Sequence, residues 1–243
     1  MAKMRLDQLL VERQLVPNQN KAQALIQLGK VLVNEVVIEK SGTQVKPNVT
    51  IRIRGENLRF VSRGGEKLDG ALSHFDIDCT GLIAADIGAS TGGFTDCLLQ
   101  RNVGKVYAID VGYGQLAWKI RQHPKVVVMD RCNARHLKSL PNPIDLIVGD
   151  VSFISISKIL PAMKRIAAPR ALGVLLIKPQ FEVGRTGTVD GLVKDPKVRQ
   201  EAIDRVTADF EAAGCQIIGH VRSSIAGAKK GNVEELVCLH FPG

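Results

Sequence analysis

Asp86-Ile87-Gly88-Ala89-Ser90-Thr91-Gly92-Gly93-Phe94-Thr95-Asp96 is the stretch that decides the fold of this chain. The apolar run Leu82-Ile83-Ala84-Ala85 leads into it, and Phe94, Leu98 and Leu99 leave it at helical spacing. A buried strand, a glycine-rich turn and a helix N-terminus in succession let backbone N–H groups approach a nucleotide-like ligand closely. About one strand later, Lys105-Val106-Tyr107-Ala108-Ile109 ends in Asp110. An acid roughly 20 residues beyond the first turn is placed to hold the two hydroxyls of a ribose.

The glycine spacing narrows the ligand. A dinucleotide fingerprint needs G-x-G-x-x-G, whereas Gly88 is followed by Gly92 and Gly93, a spacing more typical of S-adenosylmethionine (SAM) sites. The expected cofactor-binding residues are Asp86, Gly88, Ala89, Ser90, Thr91, Gly92, Gly93, Phe94 and Asp110.

Working outward, residues from 82 onward alternate between strand and helix patterns. Strands are expected at 82–87, 105–110, 125–129, 144–150, 171–178, 215–222 and 234–241, with helices around 93–101, 114–121, 156–167 and 196–213. The last helix is well marked: Asp195 as N-cap, Pro196 at its first position, Val198, Ala202, Val206 and Phe210 along one face, and Gly214 at its exit. Such alternation predicts a doubly wound α/β sheet with helices on both faces and a ligand crevice at the carboxyl ends of the strands.

Residues 1–60 are a different module. They hold ten Lys or Arg against five acids, more than half of the chain's formal charge of +9. Leu6, Leu9 and Leu10 predict one helix, and Ala22, Leu25, Ile26 and Leu28 a second that Gly29 closes. Val31 and Val33, Val36-Val37-Ile38, and Val49, Ile51 and Ile53 then alternate as short strands, with turns at Asn34-Glu35 and Lys46-Pro47-Asn48. Between the modules, Val61-Ser62-Arg63-Gly64-Gly65-Glu66 reads as a linker or hinge, and the second domain spans 67–243.

Polar residues collect at successive strand ends. Asp150 follows the strand 144–150, Lys178 the strand 171–178, and Glu234 opens the last strand. Each alone has a dull explanation as a cap or a surface charge; together in a cofactor fold they suggest a catalytic centre.

Two resemblances attach to these residues. Arg5-Leu6-Asp7, Ala22-x-x-x-Ile26-x-x-Gly29-Lys30-Val31-x-Val33-Asn34 resembles the RNA-binding domain of the ribosomal S-four type, which implies RNA contact through Arg5, Lys21 and Lys30. That family usually carries Ser-Arg where this chain has Asn20-Lys21, so a charge is kept but a bidentate fork is lost. The remainder resembles the TlyA (hemolysin A-like) family of ribosomal RNA 2′-O-methyltransferases, related to the FtsJ group. That similarity rests on Ser62-Arg63-Gly64-Gly65-x-Lys67-Leu68, the 86–96 stretch, Asp110-Val111-Gly112-Tyr113-Gly114-Gln115-Leu116, Asp150-Val151-Ser152-Phe153-Ile154-Ser155, Lys178-Pro179-Gln180-Phe181-Glu182 and Gly231-Asn232-Val233-Glu234.

The resemblance implies a Rossmann-like SAM-dependent methyltransferase sheet and a small α+β RNA-binding domain, acting on ribosomal RNA or ribosomal subunits with cytidine as the nucleoside. It places a catalytic Lys-Asp-Lys-Glu tetrad on Lys67, Asp150, Lys178 and Glu234, with Asp150 also at the cofactor. Glu235 falls on the opposite strand face and ranks below Glu234. Asp130, in Asp130-Arg131-Cys132-Asn133-Ala134-Arg135, falls on the adenine-binding turn, where the family more often has Glu-Arg-Thr-Asn. In this scheme Lys178 takes the hydroxyl proton, Lys67 favours its neutral form by like-charge repulsion, and Asp150 and Glu234 orient it.

Composition excludes several other classes. The longest apolar runs, such as Gly173-Val174-Leu175-Leu176-Ile177, are strand-length and far too short for a membrane span. Met1-Ala2-Lys3-Met4-Arg5 lacks a signal-peptide core, and five scattered cysteines without C-x-x-C spacing read as reduced core residues of a cytoplasmic protein. No metal is expected. The rival readings are an RNA-binding assembly factor without catalysis and a membrane-lytic hemolysin.

Overall fold

Leucines on one helix face and valines in short alternating runs give the first unit of the structure, Met1–Leu58, its two layers. This computed structural model describes residues 3–13, 15–16, 18–53, 59–184, 187–225 and 232–243, and of Arg52 only the backbone. Met1, Ala2 and Gly231, named in the sequence reading, and Arg54 and Glu56, among the charges counted there, lie outside the described residues. Strand β1 (Met4–Arg5) precedes α1 (Leu6–Glu12) and α2 (Gln19–Gln27); β2 (Val31–Val33), β3 (Val36–Ile38), β4 (Gln44–Val45) and β5 (Ile51–Ile53) follow. Strands β3, β2 and β5 form an antiparallel sheet, and β1 pairs with β4. Leu6, Leu10, Ala22, Ile26 and Val31 pack as its core.

Local chemistry explains the boundaries. Asn18 Oδ1 accepts from the Lys21 N–H at 2.9 Å, capping α2. At its other end Gly29 sits at φ +63°, with Gly29 N–H on Ile26 O and Lys30 N–H on Leu25 O. Asn34 and Glu35 both take positive φ, which a tight β2–β3 hairpin demands.

The second unit, Arg59–Gly243, begins with α3 (Gly64–His74), so residues 64–66 form a first helical turn and not a linker. The reason is close packing. A Cβ on Gly65 would lie 2.2 Å from the Phe60 ring, and one on Gly93 would lie 2.1 Å from Ser62 Oγ. Gly65 and Gly93 let α3 start against buried Phe60 and against the next helix, and Gly64 and Gly65 are helical, not a hinge.

Then come β6 (Ile83–Ile87), α4 (Gly93–Gln100), β7 (Lys105–Ile109), α5 (Trp118–Arg121), β8 (Val126–Met129), β9 (Ile144–Gly149), α6 (Leu160–Ile166), β10 (Ala167–Ile177), α7 (Pro179–Glu182), α8 (Pro196–Ala212), β11 (Gln216–Arg222) and β12 (Glu235–His240). They build one sheet in the order β11-β12-β10-β9-β6-β7-β8. Strands β10, β9, β6, β7 and β8 are parallel, while β12 runs antiparallel between β10 and β11. Apolar residues cover both faces in two core clusters, as a doubly wound sheet requires. The N-cap of α8 is Asp195, whose carboxylate accepts from Lys197 N–H at 2.8 Å.

The connectivity fixes where a ligand can sit. The chain steps from β6 through β7 to β8 at one edge, then crosses back to β9 on the other flank of β6. Beyond the carboxyl ends of β6 and β9 the connections diverge and leave a crevice.

Candidate active site

A cavity of about 420 Å³ occupies that crevice, framed by Gly88, Ser90, Asp110, Gln115, Asn133, Asp150 and Phe153. Gly88, at φ +83°, must be glycine twice over: a Cβ there would also lie 2.8 Å from the Asp150 carbonyl oxygen. Asp110 ends β7 with its carboxylate pinned between two backbone donors, Ser90 N–H at 2.8 Å and Gly112 N–H at 2.7 Å. The carboxylate therefore faces the cavity in one orientation, suited to a pair of ribose hydroxyls.

The other residues of the loop divide by role. Ala89 is buried and its N–H bonds Ile109 O, while the Thr91 carbonyl accepts from Ala117 N–H at 3.0 Å. Gly92 stands at φ +98°, and a Cβ there would meet Leu116 at 2.8 Å, so its close approach is to this side chain. Gly93 serves the α3 contact, and Phe94 lies in the core with Leu68 and Leu98. Neither they nor Gly92 line the cavity. Asp86 lies beneath the loop, fully buried, accepting from Thr95 Oγ1 at 2.6 Å. Burial pushes its carboxyl up to about 7, against the Thr95 hydrogen bond and with help from Asp150 and Asp110.

Asp130 is not at the cavity. It pairs with Arg121, which holds its carboxyl below the usual range, and accepts from Gly114 N–H at 3.3 Å. The same turn does reach the cavity through Cys132, Asn133, Ala134 and Arg135. Cys132 is only half-buried, unlike the other four cysteines.

The four tetrad residues form two ion pairs. Lys178 pairs with Asp150 and donates to Ser152 Oγ at 2.9 Å. Lys67, on α3, pairs with Glu234, just ahead of β12. Glu234 thus serves Lys67, where the sequence reading had it orienting Lys178. Gln180 ties the pairs together, donating to Glu234 Oε1 at 3.3 Å from two residues beyond Lys178. Glu235 points elsewhere, to His220 at 3.1 Å.

One residue of this region was missed. Phe153 is 88% exposed, holds φ +65°, and places its ring 5.2 Å from that of Phe181 on the cavity wall. Positive φ is a genuine outlier for a bulky side chain, and such strain gathers at functional sites. The loop bearing it is clamped by Glu182, which accepts from Ile156 N–H at 3.0 Å.

In the first unit, Arg5 grips Asp7 with two donors at 3.0 and 2.7 Å. Asp7 is buried and also accepts from Gln19 and Gln23, and Arg5 holds its carboxyl far below the carboxylate range. Asp7 thus fastens α1 to α2, and Arg5, whose side chain stays partly exposed, holds Asp7 in place. Lys21 and Lys30 are exposed.

Comparison with known families agrees with this geometry. The FtsJ-like methyltransferase model matches residues 60–241. The chain belongs to the FtsJ-like methyltransferase family. The S4 domain model matches residues 4–51 of this methyltransferase. Its sequence is 42% identical to the 16S/23S rRNA (cytidine-2′-O)-methyltransferase TlyA of Mycobacterium tuberculosis, over 97% of this chain and 89% of that one. It is 40% identical to Hemolysin A of Brachyspira hyodysenteriae, over 98% and 99%. A solved structure from Streptococcus thermophilus, named as a candidate hemolysin, superposes with a TM-score of 0.76 at 37% identity, covering 100% of this chain and 90% of its own. Among the described residues no helix is long and apolar enough to cross a membrane.

Proposed function

We propose that this methyltransferase moves a methyl group from SAM to a ribose 2′-hydroxyl of ribosomal RNA, with cytidine as the nucleoside and free RNA or a ribosomal subunit as the partner in the cytoplasm. The observation that carries the reading is Lys178, paired with Asp150 and bonded to Ser152, two residues lining the cavity where Asp110 stands ready for a ribose. The TlyA relatives support the choice of ribose hydroxyl and of RNA.

The residues fit the cofactor. Gly88 keeps the loop backbone open beside Asp150, Asp110 offers a fixed acceptor, and Cys132–Arg135 wall the cavity's far side. SAM supplies a methyl group on a sulfonium, ready for attack by a nucleophile. The chain's own residues supply the rest. Lys178 Nζ, once it has given up the proton it holds in the resting ion pair, accepts that of the 2′-hydroxyl, and Asp150 stabilises the ammonium so formed. Phe153 offers a ring face to the target base, and Lys67–Glu234, through Gln180, fixes the α7 turn that carries Lys178. Lys21 and Lys30 of the first unit meet RNA phosphates.

Mass-spectrometric mapping of 2′-O-methyl nucleotides in ribosomal RNA, with and without this protein, tests the reading. A protein-dependent methylcytidine is expected; an unchanged map would refute the assignment.

A further inference from the structure

The steps above leave the buried carboxyl of Asp86 unused. Asp86 closes β6 with 0% exposure, directly ahead of Ile87-Gly88. Its Oδ2 accepts from Thr95 Oγ1 on α4, while Oδ1 is buried without a hydrogen-bond partner. Among the described residues no cation pairs with it. The charged groups that face it are carboxylates, Asp110 at the end of β7 and Asp150 at the end of β9, the latter engaged with Lys178. A carboxyl so placed is poorly solvated as an anion and keeps its proton near neutrality.

Resting on the reading of the cavity as a SAM site, we propose that Asp86 is a proton-exchanging counter-ion: it holds a proton while only carboxylates surround it, and releases that proton to solvent when a cationic sulfonium nucleoside enters the cavity. The exchange balances as one proton lost for one positive charge gained. Methyl transfer removes the sulfonium charge and leaves a neutral thioether, so Asp86 takes a proton back and the product loses its counter-ion. Asp86 is therefore a positioning residue that acts through charge from beneath the loop, and it favours the charged donor over the spent one.

Calorimetric titration of the full chain tests this, with SAM and with S-adenosylhomocysteine, at pH 6, 7 and 8, each in two buffers of different ionisation enthalpy. The carboxyl groups common to the two ligands cancel in the comparison, and Asp86→Asn, which leaves the ligands unchanged, separates the Asp86 proton from that of the amino group beside the sulfonium. SAM is expected to release about half a proton more than S-adenosylhomocysteine near pH 7, and to bind about tenfold more tightly at pH 8 than at pH 6. The product's affinity should stay nearly flat. Asp86→Asn should remove about half a proton from the release caused by SAM near pH 7 and leave that caused by S-adenosylhomocysteine unchanged. If that variant does not fold, Thr95→Val keeps the carboxyl, removes its donor, and should move the pH dependence of SAM binding upward. Equal proton release for both ligands, or an unchanged slope in folded Asp86→Asn, would overturn the proposal. Failure of both ligands to bind at any pH would instead refute the cavity as a SAM site, and this inference with it.

Discussion

Lys67–Glu234 and Lys178–Asp150 use the same residue types in the same pairing, yet their surroundings differ. The first is sealed, with side chains 8% and 3% exposed, and Gln180 occupies a further lone pair of the glutamate. The second opens to the cavity through an aspartate 23% exposed, beside the Ser152 hydroxyl and exposed Phe153. A sealed pair is worth most when intact, because removing one partner strands a charge in a poor solvent. An open pair can exchange its proton with a substrate. The proposed function therefore gives the chemistry to Lys178 and the geometry to Lys67.

The comparison breaks most readily at Lys178. Lys178→Ala should lower methyl transfer by about 10²–10⁴-fold, the usual range for a lost general base. Lys178→Arg should fail nearly as badly, since a guanidinium keeps its proton. Wild-type single-turnover rates should rise with pH, and the arginine variant should flatten that rise. Substantial activity in Lys178→Arg would give Lys178 a merely electrostatic role.

The sealed pair should answer in stability. Glu234→Gln or Lys67→Met should cost about 3–5 kcal/mol in denaturant unfolding, and the double change Lys67→Met with Glu234→Leu should recover much of it. If the single variants stay as stable as wild type while losing turnover, Lys67 belongs with the chemistry and the contrast dissolves.

Phe153→Leu probes the open side. Base–aromatic stacking is worth roughly 1–3 kcal/mol, so kcat/KM for RNA should fall about 5- to 150-fold, with Phe153→Trp retaining most activity. The smallest effect is expected at the exposed lysines. Neutralising Lys21 and Lys30 should reduce the log–log salt slope of RNA binding by roughly one unit for each phosphate left without its lysine, while the affinity for SAM stays unchanged.

Sequence made the sheet legible because strand ends, glycine turns and helix caps are local signals. Asp195, Gly29 and Gly88 each act within a few residues of themselves. Partner choice was not local. Nothing in the periodicity says that Glu234 meets Lys67 and not Lys178, or that Arg121 draws Asp130 away from the cavity. The glycines at 64 and 65 read as a hinge because their neighbours, the Phe94 ring for the first and the Phe60 ring for the second, show only in three dimensions. Phe153 escaped notice because an apolar residue is read as core by default, and its exposure is set by backbone strain.

The sealed pair also joins residues 167 positions apart in the chain. During synthesis, residues 1–58 can fold as soon as they emerge, since they carry their own core. Lys67, by contrast, lacks its Glu234 countercharge until β12 is made and slips between β10 and β11. The Lys67–Glu234 pair is thus completed only after both strands that flank β12 have been made. A nascent chain could grip RNA well before it could modify it.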